Sequence, residues 1–258
     1  MTWAVEAKGV GKVFGGQAEA VEALRDIDFT LSQGDFVSLI GPSGCGKSTL
    51  LRLIGDLSAP TSGELTVNGK SPERARLDRD YGIVFQSATL LDWRTVKKNV
   101  ELPLEIMGFE TAERSSTADE MLELVQLGEF GDHYPWQLSG GMQQRVAIAR
   151  ALAFKPSILL MDEPFGALDE MTRELMQQEV LQLWAEVGTT VVFVTHSIPE
   201  AVFLSTRVLV MSPRPGRITD EINIDLSAKR DEETREDARY YELVTEVREA
   251  LRRGEWND

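Results

Sequence analysis

The segment from Gly41 to Thr49 has residue types and a spacing that suit phosphate binding. It reads Gly-Pro-Ser-Gly-Cys-Gly-Lys-Ser-Thr and fits the pattern G-x-x-x-x-G-K-[ST]. Glycine lacks the Cβ atom that would hold a phosphate away from the backbone, so N–H groups of this turn can surround an anion. Lys47 can reach phosphate oxygens, and the Ser48 hydroxyl can ligate Mg²⁺. We expect the whole segment to contact a nucleotide: Gly41, Pro42, Ser43, Gly44, Cys45, Gly46, Lys47, Ser48 and Thr49.

Two carboxylates, Asp162 and Glu163, directly follow the apolar residues 158–161. Desolvating two anions costs several kcal/mol each unless a cation compensates their charge, and a Mg²⁺-nucleotide supplies that charge. We expect Asp162 to hold Mg²⁺ and Glu163 to orient and deprotonate an attacking water. The alternative is an exposed pair of turn carboxylates at a strand end.

His196 follows the apolar segment 189–195, which we expect to lie beside the Asp162 strand. In that position the neutral imidazole can donate a hydrogen bond to the same phosphates. A purely structural histidine at a strand end is the alternative. His133, the other histidine, lies in a polar stretch, and we predict no role for it.

These groups need a framework of strands and helices, and the sequence predicts an α/β fold. Alternation in residues 1–36 and 63–69, with turns at Gly15-Gly16 and Gln33-Gly34, predicts an N-terminal antiparallel β subdomain. The later pattern predicts a mainly parallel sheet with ligands at the carboxyl ends of its strands. Predicted strands are 36–40, 158–161, 189–195 and 208–211, and predicted helices are 48–57, 96–107, 118–127, 142–154 and 171–187. Helical spacing of Tyr241, Val244, Val247 and Leu251 predicts a packed amphipathic helix in the tail.

Composition narrows the class of protein. The 258 residues carry a formal charge of −15, which disfavours nucleic-acid binding because phosphate-backbone affinity needs a basic surface. A single cysteine excludes an internal disulfide and suits a reducing compartment. No secretory signal and no apolar run long enough for a bilayer is visible, so we expect a soluble intracellular protein that a partner holds at any membrane where it works.

A second anion site is predicted at Leu138-Ser-Gly-Gly-Met-Gln-Gln-Arg145. Its Ser139-Gly140-Gly141 offers a hydroxyl, backbone N–H groups and a helix N-terminus. Because the chain already has one phosphate loop, a second site makes sense if it covers the nucleotide of another subunit. Here the sequence resembles the ATP-binding cassette (ABC) ATPases, whose signature motif is this segment. The resemblance covers most of the chain in six ordered motifs and implies a P-loop NTPase core with a helical signature-motif subdomain.

The resemblance assigns expected roles residue by residue. Lys47 and Ser48 correspond to Walker A, and Asp162 and Glu163 correspond to Walker B. The remaining matches are the Q-loop glutamine at Gln86, which contacts Mg²⁺ or the attacking water, the D-loop aspartate at Asp169, the switch histidine at His196, and the adenine-stacking aromatic at Phe14. Phe14 taken alone would be a core residue. The small Cys45 side chain is expected to point away from phosphate.

The resemblance also implies partners and a mechanism. Two copies form a homodimer with ATP and Mg²⁺ between Walker A of one chain and Ser139-Gly140-Gly141 of the other, and hydrolysis at Glu163 reopens it. Leu90, Leu91 and Trp93 follow the Q-loop and would line a groove for the coupling helix of a permease, unless they simply pack the helical subdomain. The implied location is peripheral, on the cytoplasmic face of the inner membrane. In an importer, a periplasmic or extracellular solute-binding protein takes part indirectly.

Finer motifs resemble the nitrate/sulfonate/taurine importer branch. They are Trp93-Arg-Thr-Val96, Phe165-Gly-Ala-Leu-Asp169, Thr195-His-Ser-Ile-Pro-Glu-Ala201 and Met211-Ser-Pro-Arg-Pro-Gly-Arg217. A pyrimidine-type thiamine precursor or a similar organic solute is the alternative cargo, and a non-transport ABC ATPase is the rival class. We divide the chain into a core with its β subdomain (about 1–90 and 156–225), a helical subdomain (about 91–155) and a tail (about 226–258).

Overall fold

The computed structural model describes residues 2–15, 20–166, 168–227 and 229–256. The strands are β1 (Val5–Phe14), β2 (Val21–Leu31), β3 (Phe36–Ile40), β4 (Ser62–Val67), β5 (Tyr81–Val84), β6 (Ile158–Asp162), β7 (Thr190–Val194), β8 (Arg207–Met211) and β9 (Ile218–Asn223). The helices are α1 (Lys47–Ile54), α2 (Pro72–Leu77), α3 (Val96–Ile106), α4 (Thr111–Leu124), α5 (Gly140–Leu152), α6 (Glu170–Val187), α7 (Ile198–Leu204), α8 (Glu232–Glu236) and α9 (Ala238–Trp256). None of these helices is long and apolar enough to cross a membrane.

The N-terminal sheet is antiparallel, as the alternating pattern predicted, with the order β2-β1-β4. Its first two strands are long, with 10 and 11 residues. Of the turn predicted at Gly15-Gly16, the second residue lies outside the described residues. Gln33-Gly34 does form a turn, but it leads from this sheet into the main sheet rather than closing a hairpin.

The main sheet has the order β5-β6-β7-β3-β8-β9 and is parallel except for its β8–β9 edge. β3 and β7 are buried along their whole length, which explains why they are mostly apolar, with Ser38 and Thr190 as their polar residues. The prediction missed β5 and β9. β9 carries exposed polar residues between its apolar ones because it is an edge strand with one face toward solvent.

The sheet separates two apolar cores. Phe36 and Phe193 face a core shared with helices α3 to α7, whereas Val37 and Val192 face a core shared with the N-terminal sheet and α1. This alternation follows from the period of two along a strand. Consequently both faces of the inner strands of the sheet are covered by apolar side chains.

Helix boundaries differ from the predictions where the spacing of apolar residues does not mark the end of a helix. α1 ends at Ile54 instead of residue 57. Asp56 beyond it has a φ of 47°, which is incompatible with a right-handed helix. α4 begins at Thr111, whereas the predicted helix began at residue 118. The prediction missed the first two turns because they are not buried and carry no apolar stripe. In α9 the predicted face is partly wrong: Tyr241 is 58% exposed, and Tyr240 is buried instead.

Candidate nucleotide-binding site

Parallel pairing brings the predicted site residues to one edge of the main sheet. β7 lies between β6 and β3, with Asp162 opposite Val194 and Val194 opposite Leu39. The loops that follow these three strands therefore start side by side. Those loops carry residues 41–49, Glu163 and His196, which the sequence places far apart.

The phosphate-loop segment turns through two glycines with positive φ. Gly44 has a φ of 77° and Gly46 a φ of 108°. A Cβ atom on Gly46 would also lie 2.6 Å from a methyl carbon of Leu24, so β2 leaves no room for a side chain there. α1 begins immediately afterwards with no side-chain cap and no acidic residue in its first turn. The N-cap residue Gly46 therefore offers no side-chain acceptor to the N–H groups at this helix start, which suits binding of an anion there.

Lys47 is only 6% exposed. Its charge nevertheless has no carboxylate partner among the described residues. Its ammonium group donates to the carbonyl oxygens of Gly41 at 2.7 Å and Pro42 at 3.1 Å. It also lies 3.9 Å from Sγ of Cys45. A buried cation whose contacts are two carbonyl oxygens and a thiol, with no carboxylate, suits a site that takes an anion. Cys45 is buried in the core under the N-terminal sheet, and burial raises the pKa of its thiol.

Ser48 and Asp162 form a pair of hard oxygen ligands at the start of α1. The Ser48 hydroxyl donates to the Asp162 carboxylate at 2.8 Å, and no lysine or arginine in the described part of the chain pairs with Asp162. Mg²⁺ in nucleotide sites takes one or two protein oxygens and completes its shell with phosphate oxygens and water. The pair fits that ion, while no group of three or more acidic, histidine or cysteine ligands occurs in the described residues.

Glu163 receives two side chains from neighbouring loops. Nδ1 of His196 lies 3.4 Å from its Oε2, and Nε2 of Gln86 donates to the same oxygen at 3.5 Å. The backbone of Glu163 has a φ of 46°, and its N–H group donates to the carbonyl of Val194 at 2.9 Å. The left-handed conformation costs about 1–2 kcal/mol for a residue with a side chain, and this bond to β7 helps to hold it.

A cavity of about 290 Å³ lies over the phosphate loop. Its wall consists of Phe14, Val21, Ala23, Ser43, Gly44, Gly46, Lys47, Ser48, Thr49, Glu163 and Arg214. Phe14 is 44% exposed at this wall, with the ammonium group of Lys12 4.9 Å from its ring centroid. The exposed ring is therefore free to contact a ligand rather than packed in the core. A larger cavity, of about 880 Å³ beside α4 and α6, is lined by Asp119, Glu120, Glu123 and Glu179, whose charges disfavour a phosphate.

The remaining predicted nucleotide contacts lie outside this cavity wall. Ser139 caps α5, and a Cβ atom on Gly141 would lie 2.8 Å from Thr172 of α6. Asp169 caps α6 by accepting hydrogen bonds from the backbone N–H (3.1 Å) and hydroxyl (2.7 Å) of Thr172, which lower its pKa. Gly140 is exposed next to them. The signature segment and the Asp169 segment of one chain therefore lie next to each other. Neither of them lines the cavity over the phosphate loop of the same chain.

Sequence reasoning missed two residues behind the site, Arg173 and Glu200. Thr195 donates to the buried Glu200 carboxylate at 2.5 Å, and the guanidinium of Arg173 lies 3.5 Å from the other carboxylate oxygen. Arg173 also donates to the Leu168 carbonyl at 2.8 Å. Burial raises the pKa of Glu200, although these two partners oppose the shift. The sequence could have indicated Glu200, because this residue belongs to the importer-branch motif 195–201. Its partner on α6, Arg173, belongs to no motif.

Comparisons with known proteins agree on one family. The family model described as ABC transporter matches residues 24–166. An uncharacterized ABC transporter ATP-binding protein of Methanocaldococcus jannaschii is 46% identical over 94% of this chain and 90% of its own length. The nitrate import ATP-binding protein of Synechocystis sp. is 46% identical over 92% of this chain and 87% of its own length. The taurine import ATP-binding protein of Rhizobium johnstonii is 50% identical over 80% of this chain and 78% of its own length.

Solved structures give the same result for the fold. A dimeric ATP-binding cassette in a post-hydrolysis state, bound to ADP and Pi, matches with a TM-score of 0.76 at 40% identity. The match covers 86% of this chain and all of that one. The α/β fold predicted from the sequence is therefore confirmed.

Proposed function

Because the chain belongs to the ABC transporter family of ATP-binding subunits, we propose that it hydrolyses ATP to energise uptake of a small solute through a separate membrane permease. The solute is of the nitrate, sulfonate or taurine type. The observation that carries this proposal is the meeting of unpaired Lys47, the Ser48–Asp162 pair and the Glu163–His196 pair at one edge of the sheet. Together they supply a cation for phosphate, oxygen ligands for Mg²⁺ and a carboxylate for water.

The phosphate loop and Phe14 bind the nucleotide. The backbone N–H groups of the segment Gly41 to Thr49, in which Pro42 has none, surround the phosphates, and Lys47 neutralises their charge. Phe14 stacks on the base from the other end of the cavity. Ser48 and Asp162 hold Mg²⁺, with Gln86 as a further ligand or a ligand to its water. When bound, the ion neutralises charge on the phosphates.

Glu163 is the base that takes a proton from the attacking water. His196 and Gln86 both contact Oε2 of its carboxylate, at 3.4 and 3.5 Å, and neither of them occupies Oε1, which can accept the proton. His196 is 64% exposed, so its ring has room to turn from Glu163 toward a phosphate. The site thus combines positioning with a base, as phosphoryl transfer to water requires.

A second copy of the chain completes the site. Its Ser139, Gly140 and Gly141 cover the nucleotide, and its Asp169 lies at the same junction. This is supported by the exposure of Ser139 and Gly140 and by the dimeric state of the structural relative. The helical subdomain, about residues 91–155, receives the permease. Trp93 supports this role because it is 75% exposed, whereas Leu90 packs against the core.

The other components follow from the importer class. We place the subunit at the cytoplasmic face of the membrane, held by its permease, with a periplasmic or extracellular solute-binding protein delivering the solute. The relatives named for nitrate and taurine import favour that cargo class over the pyrimidine-type alternative. They also favour transport over the non-transport ABC ATPases, and nucleic acid is not a partner of a surface with a charge of −15.

The Glu163→Gln variant tests the assignment of the base. The amide keeps the hydrogen-bonding shape but cannot accept the proton, so we expect ATP binding to persist, turnover to fall at least about 100-fold, and a closed dimer to accumulate. Phosphate release and size-exclusion chromatography with ATP measure both effects. Exposed Glu186→Gln is the matched control and keeps wild-type turnover. Native turnover in the Glu163→Gln variant would show that Glu163 is not the base.

A further inference from the structure

The loop between β8 and β9, residues 212–217, forms part of the nucleotide cavity although none of the ATPase motifs includes it. It belongs to the segment Met211–Arg217 that resembles the importer branch, to which no role has been given. Internal bonds close the loop: the N–H of Ser212 donates to the Arg217 carbonyl at 3.0 Å, and the N–H of Arg217 donates to the Ser212 hydroxyl at 3.1 Å.

The loop is fixed against the phosphate loop by its backbone. Gly216 donates to the carbonyl of Ala23 at 3.0 Å and accepts from the N–H of Arg25 at 3.0 Å. A Cβ atom on Gly216 would lie 1.9 Å from the carbonyl oxygen of Cys45. Only glycine allows this approach, so the loop is held between β2 and the phosphate loop.

Arg214 is the residue that this loop presents to the cavity. Its guanidinium nitrogens Nε and Nη2 both lie 3.4 Å from the carbonyl oxygen of Gly44, at the long limit of hydrogen bonding. It has no carboxylate within ion-pair distance among the described residues. Arg214 and Lys47 are the arginine and lysine side chains in the cavity wall. The guanidinium can therefore exchange a weak carbonyl contact for a charged oxygen at little cost.

We propose that Arg214 is a nucleotide-binding residue that contacts phosphate oxygens of the bound nucleotide. This inference rests on the proposed function, because it needs a nucleotide in the cavity. Lys47 is buried beneath the loop, whereas Arg214 is exposed above Gly44, so the two cations approach the phosphates from different sides. A planar guanidinium fits two phosphate oxygens at once, which a lysine in its place would not do.

Arg217 provides a matched control in the same loop. It has the same charge and is also exposed, but it does not line the cavity. A long-range effect of positive charge on the loop would be lost equally in Arg214→Ala and Arg217→Ala. A direct phosphate contact would be lost only in Arg214→Ala.

The test measures ADP and ATP affinity of the full chain by titration calorimetry with Mg²⁺ present, at low and high salt. We expect Arg214→Ala to weaken both nucleotides roughly 3- to 10-fold at low salt, with a smaller loss at high salt because the contact is screened. Arg214→Lys should recover part of the affinity, and Arg217→Ala should bind as the wild type does. Circular dichroism melts establish that each variant folds.

The outcomes separate this inference from the proposed function. If Arg214→Ala binds as tightly as the wild type while Lys47→Ala loses binding, the inference is overturned and the nucleotide site stands. Equal weakening in Arg214→Ala and Arg217→Ala also overturns it. If the wild-type chain itself binds neither nucleotide, the proposed function fails.

Discussion

Glu163 shows how one residue is placed for chemistry at a cost to its own backbone. Its left-handed conformation follows directly from the end of β6, and the bond from its N–H to Val194 ties it to β7. An extended residue at this position would continue the line of β6 and carry its carboxylate away from His196. The observed conformation therefore accounts for the short distance between Glu163 and His196.

Glu179 on α6 has a buried carboxylate that destabilises the fold, and it lies away from the cavity over the phosphate loop. Among the described residues, neither of its carboxylate oxygens has a hydrogen-bond partner, and the one cation within ion-pair distance is Arg145 at 3.6 Å. Burial raises the pKa of this carboxyl above its ordinary value, and Arg145 only partly opposes that shift. The folded state therefore binds a proton here more tightly than the unfolded state does.

This raised pKa predicts how Glu179→Gln changes stability with pH. The folding penalty of the wild-type carboxylate is absent below the unfolded pKa of about 4.3 and grows as pH rises through the folded pKa. We therefore expect the free energy of unfolding of Glu179→Gln, relative to the wild type, to increase from pH 5 to pH 8. Urea unfolding at a series of pH values measures this difference.

Glu186→Gln on the same helix serves as the control for Glu179→Gln. Glu186 is exposed, so its substitution should change the free energy of unfolding by less than about 0.5 kcal/mol at every pH. A pH-independent difference between Glu179→Gln and the wild type would contradict the raised pKa.

At the scale of elements, a buried contact connects α6 with the turn after β7. Arg173 holds the Leu168 carbonyl before α6 and approaches Glu200 on α7, whose other oxygen accepts from Thr195 beside His196. The segment before Asp169 and the turn of His196 are thereby supported by one cluster. Both segments border the junction where the second copy is proposed to bind.

The loop 212–217 gives a prediction about how elements pack. In Gly216→Ala the added methyl group would meet the Cys45 carbonyl, so the loop must move away from the phosphate loop. We expect a loss of about 1–3 kcal/mol in the free energy of unfolding and a loss of nucleotide affinity at least as large as in Arg214→Ala. Urea unfolding and nucleotide titration measure the two effects.

Gly254→Ala in α9 is the matched glycine control. The nearest atom to its added Cβ would be the Thr219 hydroxyl, at an ordinary 3.5 Å. Because alanine favours helix, this variant should be as stable as the wild type or more stable by up to about 1 kcal/mol, with unchanged nucleotide affinity. Wild-type affinity in Gly216→Ala would show that the loop does not shape the cavity.

At the scale of the whole molecule, the separation of the signature segment from the phosphate loop predicts that activity needs two copies. Gly140 is suited to testing this, because a Cβ atom there would meet no other atom within 4 Å. Gly140→Asp should therefore fold, and an acidic residue in the first turn of α5 favours the helix. Its carboxylate would nevertheless repel a phosphate bound by the other copy.

A mixture of Gly140→Asp and Glu163→Gln chains tests the composite site. Each variant alone should be inactive, but a mixed dimer pairs the intact Glu163 of one chain with the intact Gly140 of the other. With independent sites, an equal mixture should recover up to about a quarter of wild-type turnover, because half of randomly paired dimers are mixed and each has one intact site. Closed homodimers of Glu163→Gln lower this fraction. Phosphate release against mixing ratio measures it. No recovery, in a mixture shown by cross-linking to dimerise, would contradict two independent composite sites, and full activity of Gly140→Asp alone would contradict the role of α5.

The predictions succeeded where the signal is local. Strand β3 was predicted residue for residue, because four of its five residues are apolar, as is typical of a buried parallel strand. The start of α4 and the packed face of α9 were predicted less well, because exposed turns carry no apolar stripe and Tyr240 and Tyr241 differ only in which of them the tertiary fold covers. The same limit applies to Arg173 and Glu200, which meet only through packing of α6 on α7.

The sequence by itself determined the phosphate loop, the Asp162-Glu163 pair and the α/β class, because glycines, carboxylates and apolar periodicity act over a few neighbouring residues. Only the tertiary structure decided that Arg214 belongs to the nucleotide cavity. Arg214 and Gly44 are 170 residues apart, and no local pattern encodes their contact. It arises from the pairing of β3 with β8 and from the space that Gly216 leaves for the carbonyl of Cys45.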